Sequence, residues 1–182
     1  MYTDESRTIK GCLEGKREAQ RELYEHHKAS MYALCLRYAR CSADAEDMLQ
    51  EGFLKVFRDL PGYKPIASLG AWIRKVMIHT ALEHLRKNKK ARENDRDNIR
   101  SLQIESREGV QSGINAEQLR RHIAQLPDDF RAVFNLYAIE GYSHREIAEM
   151  LDISEANSKV RLSRARTVLK RTVTETDQYY SL

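Results

Sequence analysis

The sequence predicts an all-α protein of two small helical domains joined by a flexible linker, and three observations carry that prediction. Breakers are few, 8 Gly and 3 Pro in 182 residues, and 41% hydrophobic beside 32% charged side chains is the balance of helices with one buried and one wet face. Apolar residues recur at steps of three and four in one segment after another. From 91 to about 115 that period fails and apolar residues thin out, which reads as a flexible linker with one helical turn around Ile99 to Ile104. A lobe at 1–90, a linker at 91–115, a second lobe at 116–176 and a tail at 177–182 result, each lobe long enough for a small core.

The first lobe takes its elements from periodicity and caps. From Lys16 to Arg40, Leu23, His27, Met31, Leu34 and Tyr38 form one buried stripe. Ser42 is placed to cap the next helix, with Asp44, Glu46 and Asp47 at the positive end of its dipole. In that helix Ala45, Met48, Leu49, Gly52, Phe53, Val56, Phe57 and Leu60 keep the helical period throughout. Its outer face offers Asp47, Gln50, Glu51, Leu54, Lys55 and Arg58. Pro61-Gly62 ends it, a loop runs from Tyr63 to Ser68, and Ser68 caps a helix from Leu69 to about Lys90. There Trp72, Val76, Ala81 and Leu85 are assigned to the core, while Arg74, Lys75, Ile78, His79, Leu82 and Arg86 lie on or near the other side.

The second lobe opens with a helix containing Leu119, Ile123 and Leu126. Pro127 suits the first turn of another, with Asp128 and Asp129 beside it and Val133, Phe134, Tyr137 and Ala138 as its apolar face, ended by Gly141. The stretch 141–166 then reads as a helix-turn-helix. Ser143 and Glu146 form a capping box, Ile147, Ala148 and Leu151 share a face, Asp152 takes the turn and Ser154 caps the second helix of the motif. In that helix Leu162, Ala165 and Leu169 point inward, with Ser158 as a polar member of the same stripe. The surface carries Asn157, Lys159, Arg161, Ser163, Arg164, Arg166, Lys170 and Arg171, side chains suited to phosphates and to base edges in a major groove.

Net charge is +4 and the pI about 8.9. The excess is mild, but it gathers at Arg86, Lys87, Lys89, Lys90 and Arg92, where cations also suit a helix C-terminus, and again at Lys159 to Arg171, a placement that suits a polyanion partner. Cys12, Cys35 and Cys41 are odd in number and lack CxxC spacing, which fits a reducing cytoplasm and neither a disulfide framework nor a zinc knuckle. His26 and His27 are adjacent and cannot share a helix face as ligands. No apolar run is long enough to span a membrane, and the polar start MYTDESRTIK is not that of a signal peptide. No cofactor is expected, and no phosphate loop, metal cluster or nucleophile–base pair suggests an enzyme.

In its order of elements the chain resembles the extracytoplasmic-function (ECF) sigma factors of bacterial RNA polymerase. Residues 42–57, SADAEDMLQEGFLKVF, look like the family's polymerase-binding helix, and 71–86, AWIRKVMIHTALEHLR, like its promoter-reading helix. Residues 126–134, LPDDFRAVF, with 140–154 and Lys159 to Arg166, look like its fourth conserved region. The resemblance implies that Asp47, Gln50, Glu51 and Leu54 meet the clamp helices of the largest polymerase subunit. It implies that the loop Pro61 to Ser68, Tyr63 and Lys64 among it, holds the −10 element as a single strand with Arg74, Lys75, Ile78, His79, Leu82 and Arg86. Lys159, Ser163 and Arg164 would read the −35 duplex, with Asn157, Ser158, Arg161 and Arg166 towards phosphates. Core RNA polymerase, its flap included, promoter DNA and an anti-sigma factor are the implied partners.

The chain also departs from the family. His79 stands where relatives often have Asn, Asp152 where they have Gly, Ser158 for a common Val, and Ser163 where a larger residue is usual. The promoter sequence therefore cannot be carried over. The rival reading is a stand-alone helix-turn-helix regulator whose first 90 residues form a sensing or dimerisation lobe.

Overall fold

The computed structural model describes residues 2–94 and 116–179, and the expected helical turn near Ile99 lies outside them. The chain divides into two compact units, Met1–Asp95 and Arg96–Leu182. Among the described residues all regular structure is helical, eight α-helices with one 3₁₀ and one π turn.

Unit 1 contains α1 (Tyr2–Leu13), α2 (Arg17–Tyr38), α3 (Ser42–Asp59) and α4 (Leu69–Asn94). Helices α2, α3 and α4 pack on one another and α1 packs on α2. The stripe expected on α2 is buried at Leu23, Met31, Leu34 and Tyr38, with Cys35 beside it, and half-buried at His27. That on α3 is buried except for Phe57, which is half-buried. Gly52 lets α3 and α4 approach closely, since a Cβ there would meet the end of the Met77 side chain, which would have to move. The sequence carries no clear expectation for α1.

Four local expectations need correction here. Ser42 is the first residue of α3 and not its cap; Cys41 holds that position without a side-chain bond, while the Asp44 carboxylate accepts the Arg40 N–H at 3.4 Å. Helix α4 continues to Asn94, four residues past the boundary drawn at 90. Being packed by both α2 and α3, it is buried over a wide arc that takes in Leu69, Ile73, Met77, Ile78, Thr80, Ala81, Leu82 and Leu85, whereas Trp72 and Val76 are only half-buried. Ile78 and Leu82, expected on the outer side, are 1% and 2% exposed and belong to the core.

Unit 2 contains α5 (Ala116–Ala124), α6 (Asp128–Phe134), α7 (His144–Leu151) and α8 (Glu155–Tyr179). Its core joins Ile123, Leu126, Ala165 and Leu169, flanked by Phe130, Phe134 and Val168, while Leu119 is exposed. Pro127 is the N-cap of α6 rather than a first-turn residue, and Asp128 and Asp129 come after it in the first turn. Arg131, buried, donates to Asp128 Oδ1 at 2.7 Å and to the Ala124 carbonyl at 2.8 Å, fixing α6 to the end of α5. Past Phe134 the helix widens into a π turn, Asn135–Ile139, closed by the bond from Glu140 N to Asn135 O. The extra residue rotates the end of the helix, so Ala132, Val133 and Leu136 are buried while Tyr137 and Ala138, expected inside, are exposed. Gly141, at φ 79°, lets the chain turn back so that Tyr142 N reaches Leu136 O.

Candidate nucleic-acid interface and protein-binding face

The basic face is built on a helix-turn-helix that local chemistry fixes. The Ser143 hydroxyl accepts the Glu146 N–H and the Glu146 carboxylate accepts the Ser143 N–H at 2.8 Å, a complete capping box. Asp152 ends α7 in the left-handed region at φ 54°, ψ 53°. Ser154 then caps α8, taking the Asn157 N–H on its hydroxyl at 3.1 Å and the Ser158 N–H on its carbonyl at 3.0 Å. Leu162, Ala165 and Leu169 are buried as expected, which turns Asn157, Lys159, Ser163, Arg164 and Arg166 to solvent.

Two side chains expected towards phosphates are engaged within the unit itself. Ser158 is 0% exposed, and its hydroxyl lies 2.9 Å from His144 Nδ1 on α7; the polar member of the stripe is satisfied inside and is not presented to DNA. Arg161 is half-buried, its Nε donating to Asn157 Oδ1 at 3.0 Å and its guanidinium lying 3.7 Å from the Asp129 carboxylate on α6. Beside them an open groove of about 360 Å³ runs between Tyr137 and His144 on one side and Lys159, Ser163, Arg166 and Lys170 on the other. The rings of Tyr137 and His144 stack at 4.6 Å, and the Arg166 guanidinium sits 5.7 Å from the Tyr137 centroid.

In unit 1 the outer face of α3 presents Asp47 and Gln50 to solvent with Leu54, which is 71% exposed. Glu51, half-buried, is already engaged: Lys55 Nζ lies at 3.4 Å and Lys87 Nζ, from α4, at 3.3 Å. Burial works against the Glu51 carboxylate, but the hydrogen bond from Lys87 and the charges of Lys55 and Lys87 hold its pKa below the usual range. Lys55 also pairs with Glu83 at 2.7 Å, so α3 and α4 are laced by charge along one edge.

The loop and α4 supply the second set. Tyr63, half-buried, packs its ring 5.3 Å from that of Trp72 and donates its hydroxyl to the Ala67 carbonyl at 2.6 Å. Lys64 and Ile66 point out from the loop so closed, Ile66 at 90% exposure. On α4, Lys75, His79 and Arg86 are exposed and Arg74 is half-buried, a basic strip above the buried Ile78 and Leu82. Partial burial, with Lys75 and Arg86 nearby, lowers the His79 pKa, although Glu83 pulls the other way. Among the described residues no group of His, Cys, Asp or Glu could hold a metal ion, and no helix is long and apolar enough to cross a membrane. Cys12 and Cys35 are buried and Cys41 is exposed.

Two sequence families match these two units in turn: Sigma-70 region 2 over residues 23–91 and Sigma-70 region 4 over residues 116–169. The ECF RNA polymerase sigma factor SigM of Bacillus subtilis (strain 168) is 29% identical over 153 residues, 82% of this chain and 91% of that one. SigM of Mycobacterium tuberculosis (strain H37Rv) is 28% identical over 162 residues, 86% and 78% respectively. The chain belongs to the ECF sigma factors. Its function is accordingly promoter-specific initiation of transcription by RNA polymerase. The solved structure of the sigma factor RpoE of Bartonella quintana, in complex with the anti-sigma factor NepR, has the same fold, with a TM-score of 0.58 at 20% identity over 85% of this chain and 96% of that one.

The sigma factor's surface also contains residues that sequence patterns did not single out. Val160, 47% exposed, lies three residues before Ser163 and four before Arg164, on their face of α8. Spacing alone would have found it. Tyr137 and His144 could not be found that way, because the π turn sets the place of one and the Ser158 bond that of the other.

Proposed function

We propose that the roles divide between the two units and fall on the faces described above. Asp47, Gln50 and Leu54, with Glu51 once it exchanges its lysine partners, dock on the clamp helices of core polymerase. Tyr63, Lys64, Arg74, Lys75, His79 and Arg86 hold the separated −10 strand, and Lys159, Ser163, Arg164 and Val160 read the −35 duplex while Asn157, Arg161 and Arg166 approach phosphates. The observation that carries this reading is the capped helix-turn-helix of unit 2, whose second helix turns Asn157, Lys159, Ser163, Arg164 and Arg166 to solvent.

The sigma factor supplies recognition and the polymerase the chemistry, so it is not itself an enzyme. Its site of action is the cytoplasm, where the template lies. An anti-sigma factor covering the same faces is the expected inhibitor; RpoE, a protein of this fold, has been solved in complex with an anti-sigma factor. The test is run-off transcription by core polymerase with and without the full chain on genomic templates. New transcripts sharing start-proximal sequences support the reading; tight duplex binding without polymerase and no new transcripts would favour the stand-alone regulator.

A further inference from the structure

The first backbone donors of α4 are satisfied from two directions. Ser68 caps locally, its hydroxyl taking the Ala71 N–H at 3.3 Å and its carbonyl the Trp72 N–H at 3.1 Å. The N–H of Leu69 instead reaches back sixty-four residues, to Glu5 Oε1 on α1 at 2.7 Å. An anionic acceptor at a helix N-terminus combines a short charge-assisted bond with a favourable dipole term. Glu5 therefore fixes the point at which the loop becomes helix.

The same carboxylate is felt by the neighbouring segments. With burial it raises the pKa of the Tyr63 phenol in the loop, and on α2 it opposes the lowering of the His27 pKa by burial and by His26. The ring of His27 in turn borders Gly70, the second residue of α4: a Cβ there would lie 3.4 Å from His27 Cε1. The loop itself is tied internally by Tyr63 N to Leu60 O at 3.0 Å, Ile66 N to Lys64 O at 2.7 Å and the Tyr63 hydroxyl to Ala67 O. Ile66, 90% exposed, is what this closed loop presents. The loop is thus a small closed body, and Glu5 ties α1 to the helix start on which that body is mounted.

We infer that Glu5 is a positioning residue for −10 recognition: by accepting the Leu69 N–H it sets the angle at which the loop 60–68 leaves α4 and so the height at which Lys64 and Ile66 meet the separated strand. This rests on assigning the −10 strand to that loop, and the experiment separates the two. Holoenzyme is formed from core polymerase and the full-length chain, wild type or carrying Glu5→Ala, Glu5→Gln or Ile66→Ala. The probe is a fork-junction DNA bearing the −10 strand of the promoter most used by wild-type holoenzyme in run-off transcription. Glu5→Ala is expected to weaken fork-junction binding about threefold to tenfold, that is about 0.7–1.4 kcal/mol of binding, with core binding unchanged. Glu5→Gln, which keeps an oxygen acceptor, is expected to restore most of it.

Wild-type fork-junction affinity in Glu5→Ala, or an equal loss of core binding and thermal stability in Glu5→Ala and Glu5→Gln, overturns the inference. If Ile66→Ala weakens fork-junction binding while Glu5→Ala does not, the loop assignment stands and the role of Glu5 fails. If neither variant changes it, the loop assignment itself fails.

Discussion

Arg164 and Lys170 are both exposed on α8 and carry one charge each, yet they should fail differently. A guanidinium on the face shared with Ser163 and Val160 can make a bidentate contact to a base edge, and the loss of such a contact costs about 1–3 kcal/mol at one position. Lys170, a turn and a half further on beside the groove, is a point charge suited to phosphate. Arg164→Ala should therefore lower −35-dependent transcription and relax preference at one or two base pairs. Lys170→Ala should weaken binding evenly across sequences and reduce the slope of log K against log salt by about 0.9. Titrating holoenzyme onto a set of single-base −35 variants at two salt concentrations separates the two behaviours. An Arg164→Ala holoenzyme that keeps its wild-type base preferences would show that α8 is inserted in another orientation.

Histidines give unit 1 a pH dependence of definite sign. Burial first, then His26, lowers the His27 pKa, with Glu5 opposing; burial and Lys75 lower that of His79. In the unfolded chain both titrate near the ordinary value of about 6.5. Between that value and the lower folded ones the unfolded state binds more protons, so stability is full above about pH 6.5 and falls as the pH drops below it. His27 should dominate, since His79 is exposed and its charges are screened by solvent. Thermal unfolding measured from pH 8 to pH 5 should show the decline, and His27→Gln should flatten it.

At the scale of elements, the αL turn between α7 and α8 offers a direct check on backbone strain. Asp152 occupies φ 54°, where a Cβ is disfavoured but an Asp side chain is tolerated. Asp152→Gly should leave stability unchanged or raise it by up to about 1 kcal/mol, and Asp152→Val should lower it by about 1–2 kcal/mol, read as shifts in thermal midpoint. The features legible in the sequence at this scale are those that neighbouring residues decide between themselves. The capping box Ser143–Glu146, the Ser154 and Ser68 caps, the turn at Asp152 and the stripes of α2 and α3 all depend on spacings of four or fewer. The features it hid depend on distant packing. Helix α1 has little apolar periodicity, and its Glu5 finds a purpose only at Leu69; Ile78 and Leu82 look outward until α2 and α3 are seen to enclose α4 from two sides. Within the candidate faces, exposure was legible wherever a cation stood on the open arc of a helix. At Ser158 the stripe placed the residue inside while the resemblance placed it towards phosphates; the stripe was right, and the hydroxyl is taken inside by His144.

At the scale of the whole chain, neither proposed DNA-reading face is large, and each is expected to bind weakly alone. Two weak contacts become one specific one only when a third body carries both, because the second contact then forms at an effective concentration set by the linkage instead of by bulk solution. Core polymerase is that body, and in the reading proposed above α3 is where this chain joins it. Replacing Asp47 and Leu54, which are solvent-exposed and contribute little to the fold, should therefore lower promoter use, including −35 reading by a unit that neither residue belongs to. The expected outcome for Asp47→Ala with Leu54→Ala is a loss of core polymerase in pull-down and a fall in run-off transcription of tenfold or more, about 1.4 kcal/mol. Thermal stability and the weak duplex binding of the free protein should stay at wild-type values. If the double variant instead loses duplex binding and keeps core polymerase, the two surfaces answer to each other inside the free chain, and the division of labour drawn between the units is wrong.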